Sequence, residues 1–207
     1  VVHRETLLKT VRTTGGVDRT LETDAVQITL RCDCEATVAP LARGTGVVVN
    51  CEPTWMPEGY EPTAEQIAAA QEGCSDPLVG GPLEGAKLED VEVTLHRVIT
   101  FGAASSAQAI RIAAANAVRK AMNESGGLLL QPLMSVEVMV PDENTGSVLG
   151  DLQSRGALIL GHETQEGMSA ITAECGLTAL IGYATQLRSQ TRGRGQFVME
   201  FTRFDAL

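Results

Sequence analysis

The C-terminal part of the chain has the clearest pattern of hydrophobic and polar positions. Met134, Val136, Val138 and Val140 occupy every second position, the spacing expected of a half-buried strand. The residues after it predict five further elements: a helix capped by Thr145 and ended by Gly156, a strand at 157–160 closed by Gly161, a strand at 168–175 after the turn Glu166-Gly167, a helix capped by Thr178 and broken by Gly193 and Gly195, and a strand at 197–201. The side chains predicted to share the inward faces are Val148, Leu149, Leu152, Leu180, Ile181, Ala184, Leu187, Phe197, Met199 and Phe201.

These six elements run in the order strand, helix, strand, strand, helix, strand. That order is the ferredoxin-like plan, in which an antiparallel sheet carries two helices on one face. Residues 129–207 have a suitable length for it. The sequence therefore predicts a C-terminal ferredoxin-like (βαββαβ) domain of the α+β class.

The N-terminal part is less regular, but it also predicts strands and helices. Alternating hydrophobic residues predict strands at 26–30 and 91–99, the second with Ile99 inward and Val98 outward. The segment 53–62 reads as a connection, and a helix capped by Thr63 is expected to end at Gly73. A further helix, which Ser105 or Ser106 can cap, has the inward stripe Ile110, Ala113, Ala114, Ala117, Val118 and Ala121, with Arg111 and Arg119 off the stripe. This part is again α+β.

The two parts meet at a change of composition. An alanine-rich helical pattern ends at Ser125-Gly126-Gly127, and a new strand follows it. We therefore predict two α/β-sandwich-like domains, 1–128 and 129–207. A chain of 207 residues is long enough to give both a hydrophobic core.

Composition narrows the class of protein. The formal net charge of -10 argues against a protein that coats nucleic acid through bulk charge, and we expect no DNA partner. No apolar run approaches the roughly 20 residues of a membrane span, so we expect no membrane partner. The sequence has no initiating Met, signal peptide or Arg-rich transit segment, and we expect it to come from within a longer or processed protein. We expect a monomer.

Five cysteines are scattered along the chain, at Cys32, Cys34, Cys51, Cys74 and Cys175. Their spacing matches neither a disulfide framework nor the usual zinc motifs. On a strand, Cys32 and Cys34 would place both sulfur atoms on the same face. The favoured interpretation is buried thiols in a reducing compartment, and a metal or redox role is the alternative.

Familiar catalytic signatures are absent from the sequence. It contains no G-x-x-x-x-G-K-[ST] phosphate loop, no G-x-G-x-x-G and no H-E-x-x-H, and Ser169 lacks the G-x-S-x-G context. His162-Glu163 is an isolated pair that reads as a solvated turn. We expect no catalytic residue, metal ligand or cofactor site in this chain.

Arginines and one loop are the candidates for a binding role. Arg155, Arg188, Arg192 and Arg194 lie in the C-terminal part, and the last three fall at a helix end and the glycine-rich turn after it. Guanidinium groups bind phosphate in a bidentate way, but at a helix end they also complement the helix dipole. The loop Thr100-Phe101-Gly102 is either a contact finger or a connector. Spacing alone leaves both pairs of alternatives open.

Several segments resemble the elongation factor G family of translational GTPases. Residues 131–141, 146–152 and 177–201 are similar to its last domain. Arg4-Glu5-Thr6 is similar to the opening of its domain IV, and 81–85 with 91–95 to later parts of that domain. The resemblance implies a ribosomal-protein-S5-domain-2-like domain IV followed by a ferredoxin-like domain V.

The resemblance also implies function. It implies binding to the ribosome, through ribosomal RNA and stalk-base proteins, and it makes Arg155, Arg188, Arg192, Arg194 and the loop 100–102 the expected ribosome-binding residues. One arginine of the family's Ser-Arg-Arg-Gly is lost, since Ala157 follows Gly156 here. GTP and Mg²⁺ are expected in a GTPase domain outside this chain, which should hydrolyse no GTP alone.

Departures from the family pattern favour one subfamily. Residues 14–25 lack the Gly-Gly-Arg-Gly-Gln-Tyr-Gly-His of translocating members, and Phe101 stands at their tip-loop histidine. The segment 81–97 looks most like mitochondrial ribosome-releasing factor 2, whose subfamily splits post-termination ribosomes with ribosome recycling factor. We therefore expect a recycling role in the mitochondrial matrix. The alternatives are translocation, a stand-alone ribosome-binding module, and a cytoplasmic location.

Overall fold

The computed structural model describes every residue from Val1 to Leu207. The chain divides into two compact units, Arg4–Leu129 and Leu130–Leu207, and the second also includes Val1–His3. Both contain a sheet and helices, which confirms the predicted α+β class. None of the helices combines the length and hydropathy of a transmembrane segment.

The unit Arg4–Leu129 is built on a mixed sheet. Its strands are β1 (Arg4–Leu7), β2 (Val11–Glu22), β3 (Gln27–Pro40), β4 (Val47–Met56) and β5 (Val91–Thr100). Four of them follow the order β2-β3-β5-β4, with β4 and β5 parallel and the other pairs antiparallel. The strand β1 is not part of this four-stranded sheet, and it also forms an isolated parallel bridge from Glu5 to Leu88.

Two helices share a core with this sheet, α1 (Ala64–Ser75) and α2 (Ala107–Ser125). The predicted caps are confirmed at Thr63, whose hydroxyl accepts from Gln66 in a capping box, and at Ser106, which accepts from Ala109. The predicted alanine-rich stripe of α2 is buried throughout. Its small side chains let the helix approach the sheet closely, and a Cβ on Gly15 of β2 would lie 2.7 Å from the Ala117 backbone.

Three predictions for this unit are wrong. The supposed connection 53–62 begins as the end of β4, because parallel pairing with β5 outweighs its prolines. Gly73 lies inside α1 rather than ending it. The register of β3 against β5 shifts between Glu35 and Ala36, which inserts an extra residue in β5, so Val98 is buried and Ile99 is not.

The second unit has the predicted ferredoxin-like topology. Its strands are β6 (Gly127–Pro141, which begins before the division), β7 (Leu158–Gln165), β8 (Met168–Gly176) and β9 (Gln196–Asp205), and its helices are α3 (Thr145–Ser154) and α4 (Tyr183–Thr191). The strands follow the antiparallel order β9-β6-β8-β7. Inward residues of β6 and β8 pack against Val148, Leu152 and Leu187 of the helices.

Local details of this unit differ from prediction. Thr145 is the first residue of α3, and its hydroxyl donates to Ser169 instead of capping. Gly161 sits beside a bulge inside β7 and does not close that strand. Thr178 belongs to a short 3-10 helix, and Gly182, whose backbone is left-handed, separates it from α4, which begins at Tyr183. Because the predicted helix is interrupted at Gly182, the Ile181 side chain is exposed to solvent and the Tyr183 side chain is buried in the core.

Met199 and Phe201 were predicted to face the core from the last strand. They share the core face of β9, since they pair with Val136 and Met134 of β6. Both stay largely exposed, because β9 is the edge strand and its outer part is not covered.

Candidate functional site

Three candidate arginines lie at the end of α4 and in the turn that joins it to β9: Arg188 in the last turn of the helix, and Arg192 and Arg194 after it. The helix ends at Arg192, which has a left-handed backbone (φ 54°), and Gly193 follows it with φ 79°. The buried Thr191 pins the turn, because its hydroxyl donates to the Leu187 carbonyl (2.8 Å) and accepts from the Gly195 N–H (2.7 Å). The structure therefore brings Arg188, Arg192 and Arg194 together, on a backbone fixed by internal hydrogen bonds.

The charges of these three arginines differ in availability. Arg188 and Arg192 are exposed. Arg194 forms an ion pair with Glu143, although its side chain remains 52% exposed. The hydrogen bond from the Arg194 guanidinium, together with its charge, holds the pKa of the Glu143 carboxyl below its ordinary value. The turn thus presents two open cations and one that Glu143 competes for.

Arg155 lies apart from that turn and is used inside its own unit. Its Nε donates to Asp151 (3.1 Å), and its Nη1 donates to the Ala179 carbonyl (2.7 Å). Its guanidinium also lies 5.1 Å from the centre of the Tyr183 ring. With only 20% of its side chain exposed, Arg155 holds α3 against the segment before α4.

The loop Thr100-Phe101-Gly102 is pinned at both ends. Thr100 is buried, and its hydroxyl donates to the Met56 carbonyl (2.6 Å). Ser105 accepts from the Phe101 N–H (2.7 Å) and donates to the Arg31 carbonyl (2.6 Å). The Phe101 ring lies 3.9 Å from the Arg31 guanidinium, a cation–π contact. Gly102, with φ 59°, is the exposed residue of the loop. Thr100 is not available to a partner, because it is buried and its hydroxyl is bonded to Met56.

The cysteines are free thiols and form no metal site. Cys32 and Cys34 are both buried on the core face of β3, which confirms the predicted shared face. A hydrogen bond with the Cys32 thiol, and then burial, raises the pKa of Cys34 far above its ordinary value. No group of three or more His, Cys, Asp or Glu side chains is placed to hold a metal ion.

The segments at 4–6 and 81–85, which carry the resemblance to domain IV, meet in the structure and have a structural role that their sequence alone does not indicate. The buried Glu5 carboxylate accepts three backbone N–H groups, from Leu83 (2.7 Å), Glu84 (3.1 Å) and Ala86 (2.7 Å). Gly81 is required beside it, because a Cβ there would lie 2.6 Å from the carboxylate. The two segments therefore form one structural unit that fixes a loop. The sequence signal that could have revealed this is that both resemble parts of the same domain.

Comparison with known proteins gives the family. A profile described as elongation factor G, domain IV matches residues 34–126, and one described as elongation factor G C-terminus matches residues 128–207. The chain belongs to the elongation factor G family. It corresponds to the C-terminal region of these translational GTPases, as the resemblance implied.

Two relatives of this elongation factor G region illustrate the match. Elongation factor G 2 of Desulfotalea psychrophila (strain LSv54 / DSM 12343) is 38% identical over 170 residues, which cover 82% of this chain and 24% of that protein. A crystal structure of a protein from Thermus thermophilus superposes with a TM-score of 0.82 at 26% identity, covering 100% of this chain and 30% of that one. The chain thus spans about a quarter of the length of its curated relative.

Proposed function

We propose that this chain is the ribosome-contacting C-terminal part of a translational GTPase that recycles mitochondrial ribosomes. In this role the full protein splits post-termination ribosomes together with ribosome recycling factor, in the mitochondrial matrix. GTP and Mg²⁺ bind in a domain outside residues 1–207. The chain's share is contact with ribosomal RNA and stalk-base proteins, without GTP hydrolysis of its own.

The observation that carries this proposal is the arginine turn at the end of α4. Its backbone is fixed by Thr191, and Arg188 and Arg192 are exposed beside Arg194. A guanidinium presents planar donors that match phosphate oxygens, and a preformed turn loses little entropy on binding. Membership of the elongation factor G family supports ribosomal RNA as the phosphate-bearing partner.

The loop after β5 supports recycling over translocation. Resemblance to translocating members calls for a histidine at position 101, and this chain has Phe101, whose ring stacks on Arg31. An apolar ring held by an internal cation offers no imidazole donor at the tip. The tip therefore meets its partner by shape and stacking.

Replacing the arginines tests ribosome binding. We expect Arg188→Gln to weaken binding of the chain to purified mitochondrial ribosomes and to reduce its salt dependence, because one phosphate contact is lost. Arg192→Asn, which tolerates the left-handed backbone, should act in the same direction. Arg203→Gln is the matched control, since Arg203 is engaged with Glu174 and Asp205. Equal binding of Arg188→Gln, Arg192→Asn and wild type across a salt series would contradict the proposed contact.

Translocation is the second candidate, and the name of the Desulfotalea psychrophila relative, elongation factor G 2, favours it. The two roles separate in purified systems with the full-length protein. Recycling predicts splitting of post-termination ribosomes in the presence of ribosome recycling factor. Movement of the tRNA–mRNA pair without splitting would establish translocation instead.

A further inference from the structure

A second group of cations lies on the exposed side of α2, in the other unit. Arg119 and Lys120 line an open groove of about 440 Å³, and Asn116, Asn123 and Glu124 complete its lining. The three residues at 116, 120 and 123 fall about one helical turn apart, so their side chains lie along one side of the helix. We call Asn116, Arg119, Lys120 and Asn123 the α2 donor row.

Neutral oxygen atoms hold both cations of this row. Arg119 Nη1 donates to the side-chain oxygen of Asn116 (3.2 Å), and Lys120 Nζ donates to the Thr14 carbonyl (3.2 Å). Asn116 is itself anchored, because its Nδ2 donates to the Gly16 carbonyl (3.0 Å). These contacts orient the charged groups and leave them without a direct ion pair, although the Asp76 carboxylate also attracts Arg119 electrostatically.

Arg111 on the same helix shows the contrasting arrangement. Its guanidinium binds Asp76 through Nε (2.8 Å) and Nη2 (3.0 Å), and Glu72 through Nη1 (2.7 Å). Two carboxylates therefore compensate its charge. An arginine arranged in this way serves packing between α1 and α2, and the α2 donor row does not share that purpose.

The row also sits on a rigid support. A Cβ on Gly15 would lie 2.7 Å from the Ala117 backbone, so β2 and α2 touch backbone to backbone beneath it. Gly16 and Thr14 of the same strand accept the hydrogen bonds that orient Asn116 and Lys120. The donors are thus preorganised, which lowers the entropic cost of binding.

We propose that the α2 donor row binds the phosphate–ribose backbone of RNA, as a contact separate from the arginine turn; this inference rests on the proposed ribosome-binding function. The groove offers N–H donors and contains no aromatic or aliphatic anchor. Protein interfaces are centred on such anchors, whereas RNA backbones are held by Arg, Lys and Asn contacts to phosphate and hydroxyl oxygens. The lining's one carboxylate, Glu124, repels phosphate and weakens the contact that Arg119 and Lys120 make.

The test compares variants of the chain on purified mitochondrial ribosomes. The double variant Arg119→Gln/Lys120→Gln should bind about tenfold more weakly, and its log–log salt slope should fall by about 1.5, because two phosphate contacts are lost. Arg111→Gln, which removes one cation from the same helix, should leave binding and slope unchanged. Glu124→Gln should strengthen binding, which no loss of folding can imitate. Double-variant binding equal to wild type would overturn the inference, while loss of binding in Arg188→Gln would still uphold the proposed function.

A crosslink identifies the class of partner. Benzoylphenylalanine placed at Asn123 of the full chain should form adducts with ribosomal RNA on irradiation with the same ribosomes. Adducts with ribosomal proteins alone would assign the row to an acidic protein surface and overturn the inference. A wild-type chain that binds no ribosomes would overturn both proposals.

Discussion

Two glutamates that lie close together in the structure, Glu5 and Glu84, have different structural roles. Glu5 is a carboxylate with no exposed surface, yet it meets no cation through its two oxygens; it accepts the N–H groups of Leu83, Glu84 and Ala86. Its function is to close the loop between the first 3-10 helix (Asp76–Val79) and β5. The exposed Glu84 next to it contributes only its backbone.

Removing the Glu5 side chain should therefore destabilise the unit strongly. Glu5→Ala leaves three half-buried N–H groups without their acceptor, and the free energy of unfolding should fall by about 3 kcal/mol, at roughly 1 kcal/mol for each lost partner, the low end of the range because water can reach these groups. Urea unfolding followed by circular dichroism measures this. Glu84→Gln is the control, with an expected change within about 0.5 kcal/mol. Equal midpoints for the two variants would show that the carboxylate is dispensable.

Tyr183 makes the second unit less stable as the pH rises into the alkaline range. Burial raises the pKa of Tyr183 to about 12, and its hydroxyl has no hydrogen-bond partner. Below pH 10 the folded and unfolded chains both keep the proton. As pH rises from about 10 to 12 only the unfolded chain ionises, so up to about 2.7 kcal/mol of stability is lost. Tyr183→Phe should make the decline between pH 10 and 12 shallower, as measured by urea unfolding at several pH values, whereas Tyr60→Phe should leave it as in wild type; the raised pKa values of Cys34, Cys74 and Cys175 account for the decline that both variants keep.

At the scale of elements, prediction from the sequence was most successful where hydrophobic residues recurred at the spacing of a helix or a strand without interruption. The stripe of α2 and the alternation in β6 were predicted correctly, because their burial follows directly from spacing. Prediction failed where pairing or packing overrode a local signal: prolines did not prevent β4, a bulge reversed Val98 and Ile99, and Gly182 split a helix. The candidate arginines were found, but separating Arg155 from the others required its partners Asp151 and Ala179.

Gly73 shows how packing can override a stop signal. It lies inside α1, where a Cβ would come within 2.4 Å of the Arg111 carbonyl oxygen of α2. Gly73→Ala should push the helices apart and lower the free energy of unfolding by about 1–3 kcal/mol, since the obstacle is backbone. Gly150→Ala in α3 is the matched control: its Cβ meets nothing within 4 Å, so helix propensity should stabilise by about 0.5–1 kcal/mol. Urea midpoints that shift in the same direction would contradict the packing explanation.

At the scale of the whole molecule, the proposed function requires an acidic chain to bind a polyanion. The net charge is -10, so long-range electrostatics oppose association with ribosomal RNA. Binding must then come from a few cations held at fixed positions and freed from carboxylates. Arg188, Arg192, Arg119 and Lys120 form no direct ion pair with a carboxylate, and under the proposal Arg194 joins them when phosphate displaces Glu143.

This arrangement predicts that ribosome binding depends only modestly on salt, although the chain contains 16 Lys and Arg residues. If five cations each displace counterions with a slope of about 0.7–0.9, the logarithm of the ribosome-binding constant should fall with the logarithm of KCl concentration at about -4. The measurement is a titration of the whole chain with purified ribosomes between about 50 and 200 mM salt, the range over which such contacts are usually resolved. Participation of all 16 cations would instead give a slope steeper than about -11 on the same coefficient. A slope near -2.5 would retain the arginine turn and remove the α2 donor row, because three contacts then account for the binding.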